Sequence, residues 1–302
     1  MTNKIISAKR ADKLAIYVIY ALVGIICAVL LFILAYVLIK GLPVVNMKFL
    51  TSPPEAFAEG GGIGPELFNS FYLLVITLLI SVPLSLGAAI YLSEYAPKNW
   101  LTYTIKTSVE VLSSLPSIVV GLFGFLLFVI KFKLSFSILS GALSLTIFNL
   151  PTLVRVMEQS LSNISDSQRE ATLALGLTRW ECTKHILLPS ALPGIITGVI
   201  LSAGRIFGEA ATLIYTAGLN APDIDFSQIF NFSSMSNPFN LMRPAETLAV
   251  HIWKVNSEGI IPDADSISNG SAAVLIISIL IFNILARVVG KIIYKRMTGA
   301  KS

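Results

Sequence analysis

Charge and reactive side chains are scarce in this chain. Charged residues make up 13% of its 302 positions, and there are only two cysteines and two histidines. A soluble domain of this length needs far more charge to cover its surface, which excludes a water-soluble enzyme. Cys27 lies in an apolar run and Cys182 in a polar loop, so they provide no disulfide or metal framework. His185 and His251 stand isolated, away from any ligand cluster. The run Gly60-Gly61-Gly62-Ile63-Gly64-Pro65 lacks a Gly-Lys-Ser/Thr ending and a preceding strand, so it reads as a turn and not a phosphate cradle. No nucleophile is paired with a base, and there is neither a low-complexity linker nor a repeat at solenoid periods.

Apolar residues are abundant instead, at 55% of the chain. Six runs are long enough to cross a ~30 Å hydrocarbon layer as helices: about 14–39, 68–92, 109–130, 134–157, 191–217 and 271–293. The expectation is an all-α, multi-pass membrane protein forming one transmembrane domain over 1–302, with its core at about 68–293. The net charge of +5 sits beside the spans, which points to membrane orientation and not to nucleic acid. Lys4, Lys9, Arg10 and Lys13 precede the first run; Arg287, Lys291, Lys295, Arg296 and Lys301 end the last. Arg169, Arg179 and Lys184 occupy the loop 158–190, whereas the loop 218–270 is acidic. Both termini and the loop 158–190 are therefore assigned to the cytoplasm. Lys131 and Lys133, in a very short outer loop, run against the rule. The first run reads as a retained anchor, because no small-residue cleavage site ends it.

Several spans carry features that a purely structural helix does not need. Ser113-Ser114-Leu115-Pro116-Ser117 opens the third and Asn149-Leu150-Pro151 interrupts the fourth. Proline inside a span frees carbonyls that only protein or a wet cavity can satisfy. These residues either line a substrate path or are kinks whose serines bond back to their own backbone. In the fifth run Arg205 lies at the midpoint and Glu209 one turn later, with Gly204 and Gly208 allowing close approach of a neighbour. Either the two charges neutralise each other, or Arg205 offers its planar fork to a passing oxyanion, with Glu209 orienting the fork or limiting how long the anion stays. Thr212 is placed on the same path. In the outer loop, Pro244 is expected to start a short surface helix with Leu248, Ile252 and Val255 on its apolar face.

The segment Ser165–Pro189 has the signals of two short bent helices. Ser165/Gln168 and Thr178/Glu181 are spaced as capping boxes, with Gly176 as a C-cap between them. Glu170-Ala171-Thr172, Gly176 six residues after the Glu, and Ile186-Leu187-Leu188-Pro189 ten residues later resemble the signature of ABC importer permeases, with Thr172 in place of a second alanine. Further stretches are similar to the PstA-type phosphate permeases: Gly62-Ile63-Gly64-Pro65, Tyr91-Leu92-x-Glu94-Tyr95, Leu115 to Gly124, Gly204-Arg205-x-x-Gly208-Glu209 and Val250-His251-Ile252. The resemblance covers about residues 60–295. It implies the type I ABC importer permease fold with six transmembrane helices. It also implies a homologous PstC-type permease partner, a homodimeric PstB-type ATPase, an external PstS-type phosphate-binding protein, and inorganic phosphate as cargo. Glu170, Ala171, Thr172, Gly176, Trp180, Ile186, Leu188 and Pro189 are then the ATPase-coupling residues, and Arg205 and Glu209 serve phosphate passage. No cofactor is expected on this chain, since ATP and Mg belong to the ATPase. The competing readings are a permease for molybdate, sulfate or phosphonate, or an ion-coupled carrier.

Overall fold

The computed structural model describes residues 2–55, 58–220, 222–231, 233–258 and 262–298, without the side chains of 2–9 and 298. Lys301 and the side chains of Lys4 and Lys9 therefore lie outside the described residues. Among those described there is no strand. The helices are α1 (Thr2–Gly41), α2 (Met47–Thr51), α3 (Gly64–Ile90), α4 (Trp100–Ser113), α5 (Ser117–Gly124), α6 (Ile138–Ser162), α7 (Asp166–Ala174), α8 (Arg179–Cys182), α9 (Leu188–Phe207), α10 (Ala211–Thr216), α11 (Leu248–Glu258) and α12 (Ala264–Thr298). Five helical stretches are long and apolar enough to cross a membrane, and a sixth crossing appears if α4 and α5 count as one bent span.

The proline that opens the third span, Pro116, marks a sharp bend in it. α4 and the α5 stretch meet at 100°. Pro116, extended at ψ 136°, serves as the N-cap of α5, and proline disfavours helical geometry in the residue before it. The Ser113 and Ser114 hydroxyls donate to the Glu110 and Val111 carbonyls, both at 2.7 Å. The two hydroxyls thus bond back to their own backbone at the bend.

The bundle is built around α6, which packs against α3, α4, α9 and α10. Lipid supplies no hydrophobic drive between helices, so close contact of small residues matters more. Gly194 and Gly198 of α9 provide it: a Cβ at Gly198 would lie 2.8 Å from Val156, and one at Gly194 would collide with Ser160. The core forms three tiers. Phe49, Ile63, Leu248 and Ile267 close the outer end; Leu73, Leu145, Ile206 and Phe207 fill the middle; Leu153, Met157, Leu161 and Leu187 close the end beside the 158–190 loop. α1 runs outside the bundle, burying nothing along its apolar stretch and touching mainly α12.

Two boundaries differ from expectation. α11 begins at Leu248, not at Pro244, and packs on α12 and α3 instead of lying free at the surface. The fifth span is broken: α9 ends at Phe207 and α10 starts at Ala211. Gly208, with no side chain to favour helix, is the C-cap.

Candidate functional site

The break after Phe207 places Arg205 and Glu209 on different elements. The ion pair allowed by their spacing is absent among the described residues. Glu209 is buried, and its Oε1 accepts from the Thr212 backbone N–H at 3.0 Å and the Thr212 hydroxyl at 3.1 Å. It thus caps the start of α10. The same hydroxyl lies 3.1 Å from the Ser117 carbonyl, its one proton shared between the two acceptors, which ties α10 to the start of α5. A Cβ at Gly121 would lie 2.9 Å from the Thr212 Cα, so this junction requires glycine there.

Arg205 is half-buried, with its guanidinium 3.9 Å from the Phe148 ring centroid on α6. One Nη donates to the Thr152 hydroxyl at 3.2 Å. Of its five N–H donors, that one alone meets a protein acceptor among the described residues. Stacking on an aromatic face holds the plane of the fork while leaving its edge free. Among the described residues no other helix brings its backbone to Gly204 or Gly208. Nothing lies within 4 Å of a Cβ at Gly204, and only the Gly204 carbonyl approaches one at Gly208. This face of α9, with Leu201 65% exposed, opens away from the chain's own core.

The other residues of the expected path are scattered. Ser114 and Pro116 are exposed, while Ser113 and Ser117 are half-buried. Asn149 is fully buried, donates to the Leu145 carbonyl at 3.0 Å, and leaves its Oδ1 without a partner. The structure brings Ser117, Glu209 and Thr212 together and leaves Arg205 with Phe148 and Thr152, two residues the sequence did not single out.

The 158–190 loop forms an elbow. Thr178 and Glu181 make the full capping box, and their reciprocal bonds hold the Glu181 carboxyl below the usual carboxylate range. Ser165 occupies the N-cap position of α7, but its hydroxyl faces Ser167 instead of completing a box. Gly176 takes φ +81°, the left-handed region that favours glycine. The second half is not a free short helix. α8 continues through a π-turn, Thr183–Leu187, into α9, because Pro189 has no N–H for the His185 carbonyl. The elbow is therefore continuous, as one helical rod, with the segment that carries Arg205. Thr172 is buried and donates to the Gln168 carbonyl at 2.7 Å, and Pro189 is buried with Ile186 and Leu188 half-buried. Glu170, Ala171 and Gly176 are exposed, as are Leu175 at 81% and Trp180 at 57%. Exposed leucine and tryptophan at a loop tip, among charges, form the kind of apolar patch that marks a protein contact.

Arg169 anchors the elbow to the bundle. It pairs with Glu94, at the end of the α3 stretch, at 3.0 Å and donates to the Leu161 and Ile164 carbonyls. Against the cost of its own burial, the bonds to Glu94 and Asp166 raise its pKa above the ordinary value. The pattern Tyr91-Leu92-x-Glu94-Tyr95 contained this contact, but nothing in the sequence paired it with Arg169.

At the outer end, His251 is not isolated. It is buried, with Nδ1 2.8 Å from Glu246 Oε1. Arg243 is wholly buried and clamps the outer loop to α3 through Asn69 Oδ1 at 2.6 Å and the Pro238 carbonyl at 3.1 Å. Burial pulls its pKa down to about 10.

Residues 81–299 match the family described as binding-protein-dependent transport system inner membrane component. The chain is 50% identical over 291 residues to the probable ABC transporter permease protein YqgI of Bacillus subtilis, covering 96% of this chain and 99% of the relative. It is 35% identical over 256 residues to the phosphate transport system permease protein PstA of Yersinia pestis, covering 83% and 79% respectively. Among solved structures, an inward-facing MetNI methionine ABC transporter aligns with a TM-score of 0.53 at 18% identity, over 78% of this chain and 94% of that one, and so shares the fold.

Proposed function

The chain belongs to the binding-protein-dependent transport system inner membrane components, a multi-pass ABC permease subunit of the cytoplasmic membrane, and from that premise we propose that its cargo is inorganic phosphate. The observation that carries the proposal is Arg205, a half-buried guanidinium held flat on Phe148 with most of its donors unengaged and facing out of the chain's own core. A tetrahedral oxyanion with two oxygens along one edge suits that fork. The phosphate permeases of similar sequence support the same cargo.

The path is completed by a homologous permease of PstC type against the open face of α9. An external PstS-type protein delivers phosphate. Glu209 fixes the break between α9 and α10 and adds a negative charge beyond the fork, which shortens the anion's stay. On the cytoplasmic side a homodimeric PstB-type ATPase, carrying ATP and Mg, grips the elbow through Glu170, Ala171, Thr172, Gly176 and Trp180. Closure of that dimer moves α8, and the continuous rod through Ile186, Leu188 and Pro189 carries the motion to Arg205. The domain boundaries of this reading are those given by the sequence, with the coupling loop at 158–190 and the outer loop at 218–270.

The test is uptake of labelled phosphate by the reconstituted complex, competed in turn by molybdate, sulfate and phosphonate. Competition by unlabelled phosphate alone supports the reading. Equal or better competition by another oxyanion reassigns the cargo, and uptake that persists without ATP points to an ion-coupled carrier.

A further inference from the structure

Between the start of α3 and the start of α11, three side chains able to ligate a metal meet inside the protein. A carboxylate oxygen of Glu66, one of Glu246 and a ring nitrogen of His251 lie within 4.8 Å of one another. The three residues are 1%, 2% and 3% exposed. Glu246 is fully engaged: Oε1 faces His251 Nδ1 at 2.8 Å, and Oε2 accepts from Lys254 at 3.0 Å. Glu66 is not. Among the described residues neither of its carboxylate oxygens has a hydrogen-bond partner, and His251 Nε2 has none either.

Buried polar atoms are nearly always paired, and an unpaired carboxylate is among the most costly exceptions. Here two carboxylates face one ammonium and one imidazole, so the pocket is short of positive charge when His251 is neutral. We propose that Glu66, His251 and Glu246 hold a divalent transition-metal ion of the zinc class at the outer rim of the bundle. The donor set decides the class. An imidazole nitrogen with carboxylate oxygens suits zinc, whereas magnesium and calcium favour oxygen throughout. Donors at this separation close on an ion with bonds of about 2.0–2.2 Å after a modest turn of the side chains. An ion bound by Glu246 and His251 would replace the hydrogen bond that Glu246 Oε1 and His251 Nδ1 now share at 2.8 Å, with Glu66 closing the set.

The location gives the ion a mechanical role. Glu66 starts α3, and His251 lies on α11. Lys254 donates both to Glu246 and to the Leu219 carbonyl and Asn220 Oδ1, just beyond α10. Zinc would staple three elements of the outer rim, close to where the segment carrying Arg205 and Thr212 emerges. The inference is independent of which anion is carried.

The test uses the full chain purified with its partner subunits, stripped with EDTA, given zinc and passed through gel filtration. Bound zinc is then measured by elemental analysis, and thermal unfolding is followed with zinc and with EDTA. About one zinc per chain is expected, with unfolding moved to higher temperature by zinc and lowered again by EDTA. Glu66→Gln, close in shape, and His251→Gln should each weaken zinc binding roughly tenfold or more and abolish the thermal response. His185→Ala, which removes the exposed histidine of the elbow, should leave both unchanged. Wild-type complex that holds no zinc and shows no thermal response overturns the proposal without recourse to any variant. Zinc held equally by Glu66→Gln and His251→Gln also overturns it.

Discussion

Replacing Arg205 separates its structural from its transport role, because the structure gives it few bonds to lose. Within the chain it makes one long, half-exposed hydrogen bond to Thr152, at 3.2 Å, and one stacking contact with Phe148. These contribute about 1 kcal/mol and about 0.5–2 kcal/mol. Arg205→Ala should therefore cost folding roughly 2 kcal/mol, offset by no longer placing a charge at membrane depth. Insertion and assembly should survive. Transport should not. Two charge-assisted bonds to a bound oxyanion are worth about 1.5–3 kcal/mol each, so losing both removes at least ~3 kcal/mol of anion stabilisation. At 1.4 kcal/mol per factor of ten, uptake should fall by roughly 100-fold or more. Arg205→Lys keeps the charge but loses the fork and the flat stacking surface, and should fall between the two. The assay is initial-rate uptake of labelled phosphate by the complex in proteoliposomes, normalised to the amount assembled. Uptake by Arg205→Ala matching the wild type would refute the anion-fork role; Lys equal to Arg would show that charge alone is sufficient.

The remaining predictions concern the elbow. Gly176→Val meets no neighbour within 4 Å, but it forces a branched residue to φ +81°, at roughly 1–2 kcal/mol. ATP hydrolysis should continue while transport per ATP falls, and unchanged stoichiometry would remove the hinge from the mechanism. Glu94→Gln removes the negative charge that faces Arg169 from the α3 stretch, leaving it Asp166 and two carbonyls, where the paired side chains are 19% and 11% exposed. A fully buried pair would lose about 3–5 kcal/mol, and partial wetting reduces this to about 2 kcal/mol. A lowered melting temperature and weaker coupling are expected, and an unaltered melting curve would argue against the anchor. Finally, the bonds from Thr178 hold the Glu181 carboxyl below its ordinary value. Their contribution is complete above that ordinary value and fades as pH falls through the depressed one. Amide exchange at 178–182, corrected for its intrinsic pH dependence, should lose protection only in the acid range. Protection lost at neutral pH would point to another cause.

Much of the architecture was legible in the sequence because it depends on local chemistry. Apolar runs of membrane length can only be helices, since each backbone group must find a partner within its own segment. The Thr178–Glu181 box and the positive φ at Gly176 likewise need nothing beyond neighbouring residues. Elsewhere a group took a different partner from one that its spacing offered. Glu209 at four residues from Arg205 fits a helical ion pair, but Thr212 offers it two donors once the helix stops at Gly208. Ser165 had the spacing of a capping box, yet its hydroxyl turned to Ser167. His251 looked solitary because its partner Glu246, five residues back, stands in the loop before the helix, and Glu66 lies far away along the chain. Arg243 gave no sign that it would be buried, since its acceptors Asn69 Oδ1 and the Pro238 carbonyl carry no charge for a sequence pattern to register.

By itself the sequence determined that the chain crosses a membrane repeatedly, which side its basic loops face, and where the elbow bends. Hydropathy, charge bias and backbone preference each act over a few residues, so a linear chain displays them. Only the tertiary structure decided that the third span folds back at 100°, that the fifth breaks after Phe207, and that Arg205 rests on Phe148. It alone gathered Glu66, Glu246 and His251 into one buried pocket. These features arise from contacts between helices, whose register is set by glycines that meet a neighbouring helix and by buried polar groups seeking partners, and no single segment contains that information.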